Sequence, residues 1–292
     1  MGKPLVSVLM TAYNREKYIS EAIESVIAST YQNWELIIVD DFSKDKTVEI
    51  SKHYETKDDR IKVYVNEKNL GDYPNRNKAA AYANGKYLKY VDADDMIYAF
   101  GLELLVYYME QFPDAGYGLC SFPQNIDRIY PFLLSPKEAY QRHYLTKKGI
   151  FHRAPLSSII KKHVFDSVGG FSGKQYLGDF EMWNILSQKE FVVLMPSGIV
   201  WHRTHEDQQN TNNATNPAVN FKYIVLEKEI LISRNCPLCE KDKQIAIKKS
   251  EKNQARYILR HLKSHGIKTA LQLQKLSNLT KFEVFPKAFS KI

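Results

Sequence analysis

The first hundred residues alternate short apolar runs with stretches of helical period, and that alternation constrains the chain more than any other feature. Residues 5–10, Leu-Val-Ser-Val-Leu-Met, have the length of a buried strand. Residues 17–29 place Ile19, Ala22, Ile23, Val26 and Ile27 at helical spacing. A second strand run covers 34–39, a helix 44–54, and an alternating strand 61–65. Residues 75–83 are Ala-rich and helical, closed by Asn84-Gly85, and 86–91 make a fourth strand. This order predicts an α/β fold with an open, mostly parallel sheet flanked by helices. Such sheets bind ligands beyond the carboxyl ends of their strands. Chemistry is therefore expected in the loops after Met10, Val39 and Val91.

The rest of the chain is less regular. Residues 99–111 read as a helix ended by Pro113, and 157–167 as a strand entering a short helix. Residues 180–187 suit a helix, and 192–195 and 198–201 suit strands. The aromatic-rich stretch 114–150 yields no clear order. From about residue 220 the pattern is helical and Lys-rich, with breaks near 236–239 and at Gly266. Two domains are expected: residues 1–220, and a basic helical extension over 221–292.

Charge follows that division. The chain carries +8, yet residues 241–292 hold 13 Lys or Arg against 3 Asp or Glu, a balance of +10. The basic character thus belongs to the tail. A basic, amphipathic tail can pack on the main domain, form a homo-oligomer contact, or meet the anionic inner face of a membrane. With few aromatics in the tail and a slightly acidic main domain, a nucleic-acid partner is not expected. No run approaches about 18 apolar residues, so no transmembrane helix is expected. The run-in to the first strand carries no signal-type apolar segment. Three cysteines are too few for a disulfide framework, and Cys236-x-x-Cys239 lacks two further ligands nearby for structural zinc. These features suggest a cytoplasmic protein, peripheral on the inner membrane if the tail binds lipid.

The strand-end loops are Thr11-Ala-Tyr-Asn-Arg15, Asp40-Asp-Phe-Ser-Lys-Asp45 and Asp92-Ala-Asp-Asp95. Three carboxylates in four residues repel one another, and a divalent cation would relieve that repulsion; hard oxygen ligands suit Mg2+ or Mn2+. The plainer alternative is a solvated acidic turn capping a helix that begins near Tyr98. Neither a G-x-G-x-x-G fingerprint nor a P-loop is present.

Four ordered motifs carry a resemblance: Ser7-Val-Leu-Met-Thr-Ala-Tyr-Asn14, Trp34-Glu-Leu-Ile-Ile-Val-Asp-Asp41, Asn75-Arg-Asn77 and Tyr90-Val-Asp-Ala-Asp-Asp95. Over residues 4–210 the chain resembles the family 2 glycosyltransferases, which have the GT-A fold. The resemblance implies transfer of a sugar from a nucleoside diphosphate sugar to an acceptor hydroxyl, with inversion at the anomeric carbon. The acceptor would be a glycan or lipid-linked saccharide, as in cell-surface polysaccharide synthesis. By position, Thr11, Tyr13 and Asn14 would line the nucleotide pocket, and Arg76 would face the nucleotide and its phosphates. Asp41 would accept a hydrogen bond from the base, usually uracil. Asp92 and Asp94 match the D-x-D motif, with Asp94 as metal ligand and Asp95 able to share that role. A carboxylate suits the uracil imide N–H, and a cation suits the growing charge of a diphosphate leaving group.

An inverting transfer also needs a general base for the acceptor hydroxyl. In Tyr176-Leu-Gly-Asp-Phe-Glu-Met-Trp183 the resemblance assigns that role to Asp179. Relatives often have Glu-Asp where this chain has Gly178-Asp179. The plainer reading is that Asp179 N-caps the following helix. Glu181, two residues on, points elsewhere. In Trp201-His-Arg-Thr-His205, Arg203 is expected to contact phosphate and His205 the metal or phosphate, with His202 structural. The rival readings are a nucleotidyltransferase or pyrophosphorylase, and a sugar-nucleotide-binding protein without catalysis. The first usually opens with a Gly-rich loop after strand one, whereas residues 11–15 contain no glycine.

Overall fold

In the computed structural model, which describes residues 2–205, 216–277 and 279–290, the continuous apolar runs become central strands. Strands β1 (Val6–Ala12) and β2 (Trp34–Asp40) are buried almost throughout, as strands covered on both faces must be. Val6, Val8, Met10, Leu36 and Ile38 join a core with Ile19, Ala22, Ile23 and Val26 of helix α1 (Ile19–Ile27). The alternate residues Leu9, Ile37 and Val39 are buried outside that cluster, and helix α3 (Asp72–Ala81) packs along both strands. Between these lie helix α2 (Thr47–Glu55) and strand β3 (Ile61–Val65). Strand β4 (Tyr87–Tyr90), the short β5 (Met96–Ile97) and helix α4 (Gly101–Gln111) follow.

The expected helix over 75–83 begins earlier, at Asp72. Pro74 falls in its first turn, where a missing N–H breaks no helical bond. The stretch without clear order contains strand β6 (Ala115–Phe122), the short β7 (Phe132–Leu134) and helix α5 (Pro136–Tyr140). Gly116, Gly118 and Ser121 give β6 poor strand propensity, which hid it from a pattern reading. Then come β8 (Ser158–Lys161), α6 (Lys162–Ser167), α7 (Gly178–Leu186), β9 (Phe191–Pro196) and β10 (Val200–Trp201).

The main sheet has eight strands in the order β3-β2-β1-β4-β8-β6-β9-β7. β3, β2, β1 and β4 are parallel, as are β6 and β9. β8 runs antiparallel to β4 and β6, and β7 antiparallel to β9. The register pairs Thr11 with Val39 and Leu9 with Tyr90, so the loops after β1, β2 and β4 leave the same sheet edge.

The chain divides into two compact units, Met1–Pro136 with His152–Arg203, and Lys137–Phe151 with Thr204–Ile292. The second unit contains helices α8 (Pro217–Ile232), α9 (Glu240–Leu276) and α10 (Lys281–Phe289). Its core joins Phe221, Ala255, Ile258, Ala270, Leu273, Leu279, Val284 and Ala288. The expected break at Gly266 is present inside α9, where φ is 78°, a value glycine adopts without strain. Residues 137–151, placed in the first domain by the sequence reading, group with this unit. Gln141 Nε2 donates to Asp242 Oδ2 at 2.7 Å, and Lys249 Nζ to the Tyr144 carbonyl at 2.8 Å. Among the described residues no helix is long and apolar enough to cross a membrane.

Candidate active site

Helix α3 ties the strand-end loops together through Asn75 and Arg76, and reaches the region of α7 through Tyr73 and Asn77. Asn75 Nδ2 donates to the Val39 carbonyl at 3.0 Å, and its Oδ1 accepts from Asn66 Nδ2 at 2.8 Å. Arg76, one residue on, turns to the acidic loop. Its Nη1 and Nη2 grip the two Asp92 oxygens at 2.6 and 3.0 Å, while Nε holds Asp72 Oδ1 at 2.7 Å. Asn77 exchanges two bonds with Phe171, at 2.8 and 2.9 Å, anchoring the turn ahead of α7. Tyr73, one turn earlier, donates its hydroxyl to Asp179 Oδ1 at 2.5 Å. Asp179, Asp92 and the Asp41 loop are thus connected through a single helix.

The three acidic-loop carboxylates differ in their surroundings. Burial opposes ionisation of Asp92, but the charge and hydrogen bonds of Arg76, with help from Thr11 Oγ1 at 3.4 Å, hold its carboxyl below the usual range. Asp94 is half-buried and accepts from Arg15 Nε at 3.0 Å. Asp95 is buried and accepts the Arg203 backbone N–H at 2.9 Å. Burial and the neighbouring Asp92 charge push its carboxyl up to about 7. The carboxylates of Asp94 and Asp95 offer the hard oxygen donors that Mg2+ or Mn2+ takes, and the crowding of charge that raises Asp95 is what a bound cation relieves. Asp92 gives both of its oxygens to Arg76 and fits a ligand role less well. The acidic loop is not a helix cap: α4 starts at Gly101, with Phe100 at the N-cap.

Asp41 is buried and well occupied. Its Oδ1 accepts from Asn66 Nδ2 and the Leu70 N–H, both at 2.8 Å, and its Oδ2 from the Gly71 N–H at 2.9 Å. A carboxylate has about four acceptor positions, so one is left for a base. Asn14, in the left-handed region at φ 52°, joins the first two loops. Its N–H donates to Ser43 Oγ at 2.8 Å and its Oδ1 accepts from the Lys44 N–H at 2.9 Å. Tyr13 stands beside it with its ring 45% exposed.

Asp179 lies in the first turn of α7 and is not its N-cap, which is Leu177. Burial raises its carboxyl above the ordinary carboxylate range, partly offset by the Tyr73 hydroxyl and the Arg76 charge. The departure from Glu-Asp has a steric reason. A Cβ on Gly178 would sit 2.6 Å from Tyr73 Cζ, so the ring that bonds Asp179 leaves room only for glycine before it. Glu181 turns to Ser172 and to Lys174 Nζ, the latter at 2.7 Å.

Arg203 reaches the acidic loop: its Nε donates to the Asp94 carbonyl at 3.0 Å and its guanidinium pairs with Glu21. His202 Nε2 lies 4.0 Å from Asp95 Oδ2, which puts at the acidic loop an imidazole the sequence reading gave only a structural part. His205 belongs to the second unit, where it is half-buried. Sequence reasoning missed Tyr73 and Lys89. Lys89 is fully buried in β4, donates to the Leu156 carbonyl, and is brought down to about 8 by burial. Spacing could have pointed to Tyr73, since it stands three residues before Arg76 on one helix.

A family model described as Glycosyl transferase family 2 matches residues 7–169. The chain belongs to this family. An uncharacterized glycosyltransferase of Haemophilus influenzae is 41% identical over 222 residues, 71% of this chain and 68% of that protein. The Escherichia coli enzyme named UDP-Glc:alpha-D-GlcNAc-diphosphoundecaprenol beta-1,3-glucosyltransferase WfgD is 43% identical over 106 residues, 36% of this chain and 41% of WfgD. The chain spans about two fifths of the length of several further curated relatives it matches. Two solved structures share the GT-A fold. S. aureus TarS 1-349 in complex with UDP-GlcNAc has a TM-score of 0.61 at 20% identity, covering 97% of this chain and 78% of that one. The Pyrobaculum calidifontis mannosyltransferase PcManGT, with GDP-Man and Mn2+, has 0.66 at 14% identity, covering 99% and 85%. The matched family segment ends before Asp179, Arg203 and His205. Family membership favours glycosyl transfer over the nucleotidyltransferase reading.

Proposed function

We propose that this family 2 glycosyltransferase is an inverting enzyme that moves a hexosyl or N-acetylhexosaminyl group from a UDP-sugar to an acceptor hydroxyl. The acceptor is a glycan or lipid-linked saccharide of cell-surface polysaccharide synthesis. The observation that carries this reading is that two residues of helix α3, Tyr73 and Arg76, hold Asp179 and Asp92 respectively. It ties a carboxylate of raised pKa to the acidic loop through one rigid helix, as a base acting on one face of a sugar and a diphosphate site on the other require. Uridine is favoured by the acceptor position left on Asp41 and by two similar proteins, TarS with UDP-GlcNAc and WfgD, named as acting on UDP-Glc.

Asp179 takes the proton of the acceptor hydroxyl as that oxygen bonds to the anomeric carbon. The bond to the nucleoside diphosphate breaks with its electron pair leaving on the diphosphate. Its raised pKa makes Asp179 a stronger base than a solvated carboxylate, and Tyr73 fixes the direction of its Oδ1. Asp41 meets the base, held in place by Asn66, while Thr11, Tyr13 and Asn14 shape the nucleotide pocket. Asp94 and Asp95 would hold Mn2+ or Mg2+, which when bound supplies positive charge against the diphosphate; PcManGT, solved with Mn2+, supports this. Arg203 braces that loop through the Asp94 carbonyl.

A panel of nucleotide sugars, assayed for nucleotide release with Mn2+ and with chelator, tests the reading on the full chain and on Asp179→Asn. The expected result is metal-dependent UDP release and transfer, lowered by about 10² or more in Asp179→Asn with donor binding intact. Donor binding without turnover in the parent chain would overturn the enzymatic reading. An Asp179→Asn variant with normal transfer would overturn the base.

A further inference from the structure

The second unit ends in a helix with two unlike faces. α10 opens with a capping box, in which the Thr280 side chain accepts from the Glu283 N–H and the Glu283 carboxylate accepts from the Thr280 N–H, the latter at 2.8 Å. Val284 and Ala288 pack into the core shared with α9. Arg256 Nε holds the Ala288 carbonyl at 3.0 Å, and Lys252 Nζ the Ser290 carbonyl at 2.6 Å. The helix is therefore docked, and its orientation on α9 is fixed. Its other apolar face is phenylalanine. Phe282, Phe285 and Phe289 are 92%, 67% and 69% exposed. They fall at i, i+3 and i+7, one stripe of a helix, and the rings of Phe285 and Phe289 lie 5.1 Å apart.

Scattered exposed apolar residues need no explanation, but three aligned phenylalanines on a nine-residue helix do. The surrounding charge narrows what covers them. Arg260, Lys263, Lys268, Lys275 and Lys281 are exposed in the same unit, and residues 241–292 carry +10. A second copy of the chain on this stripe would set +10 against +10. A nucleic acid would meet the charge and its bases could stack on the rings, but it would leave the aliphatic Ile267 and Leu271, also exposed on α9, without apolar cover. An anionic bilayer satisfies both properties, with phosphate at the headgroups and hydrocarbon below.

We propose that α10 is an interfacial membrane anchor, in which Phe282, Phe285 and Phe289 enter the headgroup–acyl boundary of an anionic lipid surface and the tail's basic residues stay at the phosphates. The attachment is peripheral and reversible. It differs from attraction by charge alone, because the apolar contact survives when salt screens the lysines.

Flotation of the full chain with vesicles of phosphatidylglycerol and phosphatidylethanolamine, against vesicles of phosphatidylcholine, tests this. Phe282→Ser, Phe285→Ser and Phe289→Ser are combined in one variant, and a separate Phe285→Trp chain reports depth by quenching with brominated lipid. The three sites are exposed, so circular dichroism of the triple variant should match the parent. The parent is expected to float with anionic vesicles and to keep part of its binding at about 1 M salt. The triple variant should bind at least about 100-fold more weakly, and Phe285→Trp should be quenched. Equal binding by parent and triple variant overturns the proposal, as does an unquenched Trp. So does a parent that binds neither vesicle but dimerises through this face, or one that prefers a single-stranded oligonucleotide to anionic lipid.

Discussion

Replacing Tyr73 by Phe deletes one hydroxyl and leaves the ring, its 5.2 Å contact with Phe171 and its seat over Gly178 in place. The lost group is the donor 2.5 Å from Asp179 Oδ1. Burial and the Asp179 charge keep the Tyr73 hydroxyl protonated far beyond any assay pH, so it is always a donor. A hydrogen bond to a charged group contributes about 1.5–3 kcal/mol. Because it favours the ionised carboxylate, its loss raises the Asp179 pKa by about 1–2 units, at about 1.36 kcal/mol per unit. The sign follows from the base role. Asp179 must be ionised to accept a proton, so activity rises with pH through its pKa, and burial already raises that pKa in the parent. In Tyr73→Phe the acid limb of kcat should move to higher pH by about 1–2 units, with activity largely recovered above it. Nucleotide release at saturating donor and acceptor, from about pH 5 to about pH 9, reads the shift. An acid limb that stays in place, or a variant that loses donor affinity while keeping its pH profile, would refute the link between Tyr73 and the base.

Asp41→Asn should weaken UDP binding by about 1.5–3 kcal/mol, read by calorimetry. Because Asp41 also holds the Leu70 and Gly71 N–H groups, the same variant should lower the melting temperature. A variant with unaltered UDP affinity and lower stability would make Asp41 a loop anchor only. Lys89 is held at about 8 when folded, against 10.5 for the free side chain, so the unfolded chain binds its proton more tightly between those values. Relative to Lys89→Met, the parent should therefore gain stability as pH rises from about 8 to about 10.5, by up to about 3 kcal/mol. Paired denaturant titrations at both ends check this, and a constant difference would show that burial does not lower the Lys89 pKa.

Much of the first unit is legible without coordinates, because local physics sets it. Apolar runs such as 34–39 have the length of strands buried on both faces, and the 19-22-23-26 spacing has the period of one helical face. The acidic loop is visible because three carboxylates in four residues are costly unless something compensates them. Gly266 marks a helix break because glycine alone among common residues takes φ near 78° without strain. Strand β6 is hidden for the opposite reason: glycine and serine give it no local preference, and burial among its neighbours makes it a strand.

Tertiary structure alone decided which distant residues meet. Tyr73 and Asp179 are 106 positions apart, and the Arg203 N–H and Asp95 108 apart; no periodicity encodes either pairing. The sequence holds Gly178 as an odd residue, and only the ring of Tyr73 against it explains the oddity. The sequence holds the tail's charge as well. Which of its apolar residues are buried had to come from packing, since Val284 and Ala288 meet α9 while Phe282, Phe285 and Phe289 meet solvent. Periodicity limits which residues share a helix face, but what that face meets is fixed by the burial of other segments, and that energy is spread over contacts no short stretch contains.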